Sequence, residues 1–390
     1  MIPLSEAIQT VLSKAITGNS EKRNLLDSLG YVTAENIYSD IFMPPFDKSA
    51  VDGFACRRAD FPGPLTILET IPAGQLPTMT ITPGTCSRIM TGAKMPDGAD
   101  CAVMVEYTEV HENKMTFTGS QTSDNFARFG EDLKEGDLII PKNTYIEPQH
   151  IAVMATVGCT QPLVYQKPTV AIFSTGNELV EPTLKPTGGQ IRNSNSYQLM
   201  AQCQAIGIQA NYCGIIPDNK EVTRNMISDA LKNNQIILLT GGVSMGDFDF
   251  VPEIMKELGF EIHFDAISVQ PGKPTTFATL NDKYIFGLPG NPVSSFFHFG
   301  ILVKSLIYKI MNHNYTIPSY QLPMAETYFR RKAERTGLIP AIINDQQKIS
   351  IVEFHGSAHI NALLKATGYI ILEKGQNEIK TGEYATYRPF

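Results

Sequence analysis

The sequence predicts a multidomain α/β protein. A central three-layer open sheet domain falls over 168–311, a β-rich inserted domain over 38–140, a helical linking part over 1–37 plus 141–167, and a small C-terminal β domain over 316–390. Three observations predict this. Residues 168–311 alternate short apolar runs with amphipathic stretches, the pattern of an open parallel sheet covered by helices on both faces. Residues 38–146 break into short apolar runs separated by Pro, Gly and Asp, which reads as strands and loops. Pro318 and Pro323 punctuate a link, beyond which the chain turns β-rich again.

The elements follow in chain order. Residues 1–31 read as helical: Leu4, Ala7, Ile8, Val11 and Leu12 share a face, and Leu25, Leu26 and Leu29 make a second stripe before Gly30. Tyr31 to Ile37 turns extended. In the insert, Leu65–Ile71 and Cys101–Val110 are the clearest apolar runs. A helix returns at 148–157, with Pro148 at its first turn and Gly158 to close it. Thr169–Phe173 is a buried strand, and Ser196–Ala205 a helix with Leu199, Met200 and Cys203 inward. Ile208–Ile216 is extended. Glu221–Asn233 is a helix burying Val222, Met226, Ile227, Ala230 and Leu231. Ile236–Leu239 is a strand, Val251–Leu258 a helix, Ile262–Val269 and Tyr284–Leu288 strands, and Val293–Ile310 a long helix. Lys348–Phe354 and Tyr369–Glu373 are strands of the last domain.

Composition narrows the function classes. Hydrophobic residues are 43% and charged residues 18%, which fits a globular chain and not a disordered one. The net charge of −7, with no basic tail, argues against nucleic acid as the main partner. Ser5, Glu6, Gln9 and Thr10 interrupt the first apolar stretch, so no signal peptide is expected. The stretch Phe296 to Ile310 holds His298, Lys304 and Lys309 and reads as too polar to span a bilayer. The six cysteines are scattered, with no CxxC pair, and read as small hydrophobes in a reducing compartment. A cytoplasmic protein is the expectation.

The chemistry concentrates in loops that follow the sheet strands. Thr240-Gly241-Gly242-Val243-Ser244-Met245-Gly246-Asp247 directly follows an apolar strand. Adjacent glycines there leave amides uncovered as an anion nest, and Ser244 adds a hydroxyl. A plain βα turn is the competing reading. No Gly-Lys-Ser/Thr and no GxGxxG follows, so the run is neither a P-loop nor a dinucleotide fingerprint. Ser174-Thr175-Gly176-Asn177-Glu178 ends a second strand. Its hydroxyls suit phosphate oxygens, while Glu178 suits a bridging cation, or simply the first turn of a helix. Pro271-Gly272-Lys273-Pro274 offers an ammonium on a stiff loop. Leu288-Pro289-Gly290-Asn291-Pro292 offers Asn291 as a helix cap. Four such strand ends converging on one edge are expected to form a ligand site. Asp218, Asp247 and Asp249 lie beside these loops and supply the hard oxygens that Mg²⁺ prefers.

In the insert, Phe46-Asp47-Lys48-Ser49-Ala50-Val51-Asp52-Gly53-Phe54 packs charged and turn residues between aromatics. Gly53 is expected to let the backbone turn tightly, leaving Asp52 pointing into open space. Arg88-Ile89-Met90-Thr91-Gly92-Ala93 and Arg128-Phe129-Gly130-Glu131-Asp132 have a similar character, and each alone reads equally well as a simple turn.

Taken together and in this order, the motifs resemble the MoeA family of molybdopterin molybdenumtransferases, which includes the gephyrin E domain, over essentially the whole chain. Phe46 to Ala55 is similar to the family's PFDNSAMDGYA signature, with Lys48 where Asn is usual and Phe54 where Tyr is usual. Ser174 to Leu179 is similar to STGxEL, with Asn177 in place of Asp. Thr240 to Asp249 is similar to GGVSxGxxD. The resemblance implies a molybdopterin-binding type of sheet domain and a homodimer whose cleft spans two chains. It implies adenylylated molybdopterin and molybdate as substrates, Mg²⁺ as cofactor, and AMP and molybdenum cofactor as products. It also implies transient contacts with the adenylyltransferase and apo-molybdoenzymes, and neither nucleic acid nor membrane as partner. By the same resemblance Asp52, Asp132 and Glu178 are catalytic candidates. Glu178, Asp218 and Asp249 are the metal set. Ser174, Thr175, Gly176, Gly241, Gly242, Ser244, Lys273, Pro289 and Asn291 would bind substrate and phosphate. Adenylyltransferase-like activity, insertion of tungsten, and a scaffold role like that of the gephyrin E domain remain the alternatives.

Overall fold

The structure, a computed structural model, describes residues 1–242, 251–356 and 358–390. Its central sheet comprises β1 (Val170–Thr175), β2 (Asn211–Ile216), β3 (Ile236–Thr240), β4 (Glu261–Ala266), β5 (Pro274–Leu280) and β6 (Lys283–Leu288), in the order β2-β1-β3-β6-β5-β4. β2, β1, β3 and β6 run parallel, and β5 is antiparallel to both β6 and β4. Alternate residues of β1 and β3 feed two cores. Val170, Ile172, Ile236 and Leu238 face the helices α1 (Asn195–Ala205) and α4 (Pro292–Ile310), with the N-terminal helix Leu4–Ser13 packed against α4. Ala171, Phe173, Ile237 and Leu239 face α2 (Lys220–Asn233) and α3 (Val251–Glu257). Strands buried on both faces are why these runs are continuously apolar in sequence.

Four points of this domain differ from the expectation. The run Ile262–Val269 is not one strand. β4 ends at Ala266, and Val269–Gln270 pairs instead with Thr336–Gly337 of the C-terminal sheet. Ile267 and Val269 are both fully buried, so hydrophobicity carries no mark of the break. β5 was hidden by its opening Pro274, which is tolerated because it is the strand's first residue. On α2, Val222 is 38% exposed and Thr223 is buried in its place. As for α4, its 19 residues and mean hydropathy of 1.3 do suffice to cross a membrane, contrary to the expectation. The most apolar window is 78% buried against the sheet, so that surface is already used by the core.

The segments flanking the insert are less helical than expected. Beyond Leu4–Ser13, Ser20–Lys22 pairs with Leu163–Tyr165, which pairs with Val32–Thr33. The second leucine stripe forms only a single turn, Leu26–Ser28, with Leu26 and Leu29 exposed. Asn24 bonds Asp27 and Ser28 bonds the Leu25 carbonyl, and these local bonds compete with a helix. The helix Pro148–Thr156 forms as read, with Pro148 in its first turn.

The insert carries its own six-stranded sheet, in the order 101–104, 53–56, 85–89, 65–71, 114–117, 108–111. Two hydrophobic clusters lie wholly within it, one around Phe54, Leu65 and Met115, the other around Ile71, Ile89 and Met95. Cys56 stands opposite Cys86 and Cys101 on adjacent strands, with 3.8 Å between the Cys56 and Cys101 sulfurs. All six cysteines are free thiols, and these three are fully buried, as small hydrophobes would be. The C-terminal sheet orders 269–270, 336–343, 368–372, 384–389 and 320–323. Buried Arg330 ties it together by donating to the carbonyls of Arg335, Leu372, Glu373 and Gln376.

Candidate functional site

The connection from β1 runs to β2 on one side, and the chain then returns to β3 on the other. A crevice therefore opens at the carboxyl ends of β1 and β3, where open α/β sheets bind ligands. Thr175 lines it from β1. Gly241 and Gly242, after β3, have φ of +88° and +63°. A Cβ on Gly241 would fall 2.8 Å from the Thr175 carbonyl oxygen, and one on Gly242 2.8 Å from Thr175 Oγ1. The double glycine is thus required both by backbone conformation and by the close approach of Thr175. The Gly290 turn after β6 completes the contact, with the Gly241 Cα 3.6 Å from where a Gly290 Cβ would sit.

The Lys273 loop reaches the same edge by a different route from the one expected. It precedes β5 instead of ending a parallel strand. Because β5 is antiparallel, with Thr276 opposite Gly287, its start lies beside the end of β6. Lys273 is exposed there. Beneath it, His298 Nδ1 shares a 2.7 Å hydrogen bond with Thr275 Oγ1, and the ring fills the space that a Gly272 side chain would need. Burial pushes the His298 pKa down to about 4, so the ring is neutral at pH 7.

Glu178 and Asp218 follow β1 and β2, neighbouring strands. The Asn177 amide donates to Asp218 Oδ2, and the Asp218 amide donates to Asn177 Oδ1, each at 3.2 Å. The exposed Glu178 carboxylate folds back over Gly176. Both carboxylates are hard oxygen donors, the kind magnesium takes beside several waters. Among the described residues, no group of three His, Cys, Asp or Glu stands close enough to hold a metal ion. Asp249, with Ser244 and Asp247, lies outside the described residues. Pro289 is buried and Pro292 opens α4 as read, but Asn291 makes no side-chain capping bond.

Several polar residues escaped the sequence reading. They engage Ser174, whose hydroxyl was expected to meet phosphate: it is 1% exposed and donates to Asn193 Oδ1 at 2.8 Å, and Asn193 Nδ2 donates to the Tyr212 hydroxyl at 3.0 Å. Tyr212 and Tyr197 both donate to the Glu181 carboxylate. Burial and then that carboxylate raise the Tyr212 pKa, and the Glu181 bond raises that of Tyr197. Asn195 Nδ2 donates to Thr240 Oγ1 and to the Gly290 carbonyl, both at 2.7 Å. The Asn193-Ser194-Asn195 run just before a helix was the available signal, since such residues favour helix starts.

The insert presents a second set of carboxylates. Asp52 is exposed, but it does not point freely into open space: its Oδ1 accepts the Thr91 amide at 2.7 Å. Gly53 is needed for close approach and not for a turn, because a Cβ there would lie 1.7 Å from the Val103 carbonyl oxygen. Asp47 Oδ1 accepts the Phe129 amide, and Glu131 accepts the Arg128 amide. Asp132 and Lys48 line an open cavity of about 670 Å³ with Met43, Pro44, Ala127 and Glu131. No described hydrogen bond or ion pair joins these residues to the sheet-edge loops.

The family description "MoeA N-terminal region (domain I and II)" matches residues 2–158. "Probable molybdopterin binding domain" matches 171–309, and "MoeA C-terminal region (domain IV)" matches 324–390. The chain is 34% identical to a molybdopterin molybdenumtransferase of Staphylococcus epidermidis, covering 98% of this chain and 94% of that protein. It is 33% identical to that of Bacillus subtilis, covering 98% and 92%. The solved molybdopterin biosynthesis moeA protein of Pyrococcus horikoshii superposes with a TM-score of 0.85 at 25% identity, over the whole of both chains.

Proposed function

The chain belongs to the MoeA family of molybdopterin molybdenumtransferases, and on that footing we propose how its residues serve the reaction. It is a transferase of molybdenum cofactor biosynthesis. In our reading it takes adenylylated molybdopterin and molybdate and releases AMP with the finished cofactor. The observation that carries this is the meeting of the Thr175, Gly241–Gly242 and Gly290 turns at one crevice. The double-glycine turn there holds the phosphate link of the substrate, and Lys273 holds phosphate or molybdate. Glu178 and Asp218, with Asp249, would hold Mg²⁺, which when bound supplies charge withdrawal from the phosphates. Asp52 positions or deprotonates the attacking group, and Asp132 also faces the cleft from the insert.

A homodimer, as the family resemblance implies, belongs to the same proposal. In that assembly the insert of one chain faces the sheet edge of its partner. A cytoplasmic setting, with transient contacts to the enzyme that supplies the adenylate and to those that receive the cofactor, completes the proposal. The test follows AMP release from adenylylated molybdopterin by the purified protein. Release should stop with chelator and return with Mg²⁺, and sedimentation should give about twice the 43.0 kDa chain mass. Unchanged release without divalent metal removes the metal role from Glu178, Asp218 and Asp249. A fully active monomer removes the shared cleft.

A further inference from the structure

We infer that Asn195 is a positioning residue of the crevice: its amide fastens the turn after β3 to the turn after β6, and so sets the spacing of the phosphate-binding glycines. This deepens the proposed function and rests on the reading that those turns hold the phosphate link.

The geometry is specific. Asn195 is the first residue of α1 and is 8% exposed. Its Nδ2 has two hydrogens, and both are used at 2.7 Å, one on Thr240 Oγ1 and one on the Gly290 carbonyl. Thr240 ends β3 and Gly290 lies two residues beyond the end of β6; the two strands are hydrogen-bonded neighbours with Thr240 opposite Leu288. Past that pair the ladder ends, apart from the Gly241 amide on the Leu288 carbonyl at 3.2 Å. The Asn195 bridge therefore continues the pairing of β3 and β6 beyond the end of the sheet, across the turns that must not drift. Only a side chain with two donors on one atom can make it. Asp has none there and Ser has one.

Asn195 Oδ1 is buried and, among the described residues, has no hydrogen-bond partner. Leaving such an oxygen bare is costly. That cost follows from committing both Nδ2 hydrogens to the two turns. Thr240 is the natural cross-check. It is 2% exposed, and its hydroxyl is one of the two anchors of the bridge.

The experiment is a double-mutant cycle on Asn195→Ala and Thr240→Val, with two readouts on the full-length protein. The first is AMP release from adenylylated molybdopterin. Phosphate held equally in the ground and transition states appears in KM, so Asn195→Ala should raise KM about tenfold with kcat changed less than about threefold. Thr240→Val should raise KM by less. The double variant should match Asn195→Ala, because the two changes remove one shared contact. The second readout is amide hydrogen exchange of the peptide holding Gly241 and Gly242, which should speed up in each variant without substrate. Additive KM effects with unchanged exchange overturn the inference, as does a fall in kcat with KM unmoved. If wild type releases no AMP, the functional reading fails while exchange still tests the bridge. If Asn195→Ala does not fold, Thr240→Val, equal in shape, carries the test alone, and unaltered exchange and KM in it overturn the bridge.

Discussion

The sheet edge and the insert loops both gather carboxylates and glycines, yet they are built in opposite ways. At the sheet edge a buried, cross-linked polar layer lies beneath the exposed Glu178 and Lys273. Ser174, Asn193, Asn195 and Thr240 are each at least nine-tenths buried and bonded across strands. In the insert, Asp52, Asp47 and Glu131 are exposed, and each is steadied by an amide hydrogen bond to a nearby turn. A buried network holds its spacing before the ligand arrives, whereas exposed acids are positioned only when something closes over them. The sheet edge thus suits binding, and the insert suits chemistry completed on closure.

The largest effect is expected from breaking the insert side. Asp52→Asn keeps an Oδ1 that can still accept the Thr91 amide, so the loop should persist. The dimer should form, and the unfolding midpoint should stay within a few degrees. Molybdenum insertion should fall by about 10² or more, the scale of losing one acid–base or strong electrostatic group. Single-turnover AMP release and cofactor transfer to an apo-molybdoenzyme, variant beside wild type, measure it. A near-normal rate would make Asp52 a turn residue only and shift the chemical role to Asp132.

The sheet side is expected to break through stability first. His298 lies under the Lys273 loop with its pKa lowered to about 4, against about 6.5 in the unfolded chain. Between those values the unfolded chain binds a proton that the folded chain refuses, so stability rises with pH across the window. It is fully present above about pH 6.5 and is lost as pH falls toward 4, by about 3 kcal/mol. Denaturant midpoints across this range should drop more steeply for wild type than for His298→Gln. Equal slopes would mean that the folded ring accepts a proton at no cost.

The contrast between the two regions also explains what could be read in the sequence. The α/β alternation was legible because β1, β3 and β6 are buried on both faces and so are apolar throughout. The glycine turns were legible because Gly241 and Gly242 occupy backbone conformations that other residues resist. The antiparallel β5 was not legible, since Gly272 and Pro274 read as loop until Thr276–Leu280 is seen to pair with β6. Nor was the Asn195 bridge: its partners Thr240 and Gly290 lie 45 and 95 residues away. Asp52 was found through its motif, but its bond to Thr91, 39 residues on, belongs to the folded insert.

The smallest effect should come from the exposed ion pairs of the insert, and it sharpens the comparison from the other end. Asp124 bridges Arg58 at 2.6 Å and Arg128 at 2.7 Å, and all three side chains are about half exposed. Short distances here do not imply large energies, because water and salt screen the charges and two long side chains lose rotamer freedom. Asp124→Asn should therefore cost about 1 kcal/mol or less in urea unfolding at low ionic strength. The difference from wild type should shrink further in high salt. Arg128 also sits over the Phe126 ring, at 5.3 Å, so its position should survive the loss of the carboxylate. A cost of several kcal/mol that persists in salt would mean that the insert loops are pre-set like the sheet edge. The division of the molecule into a rigid binding edge and a closing catalytic arm would then fail.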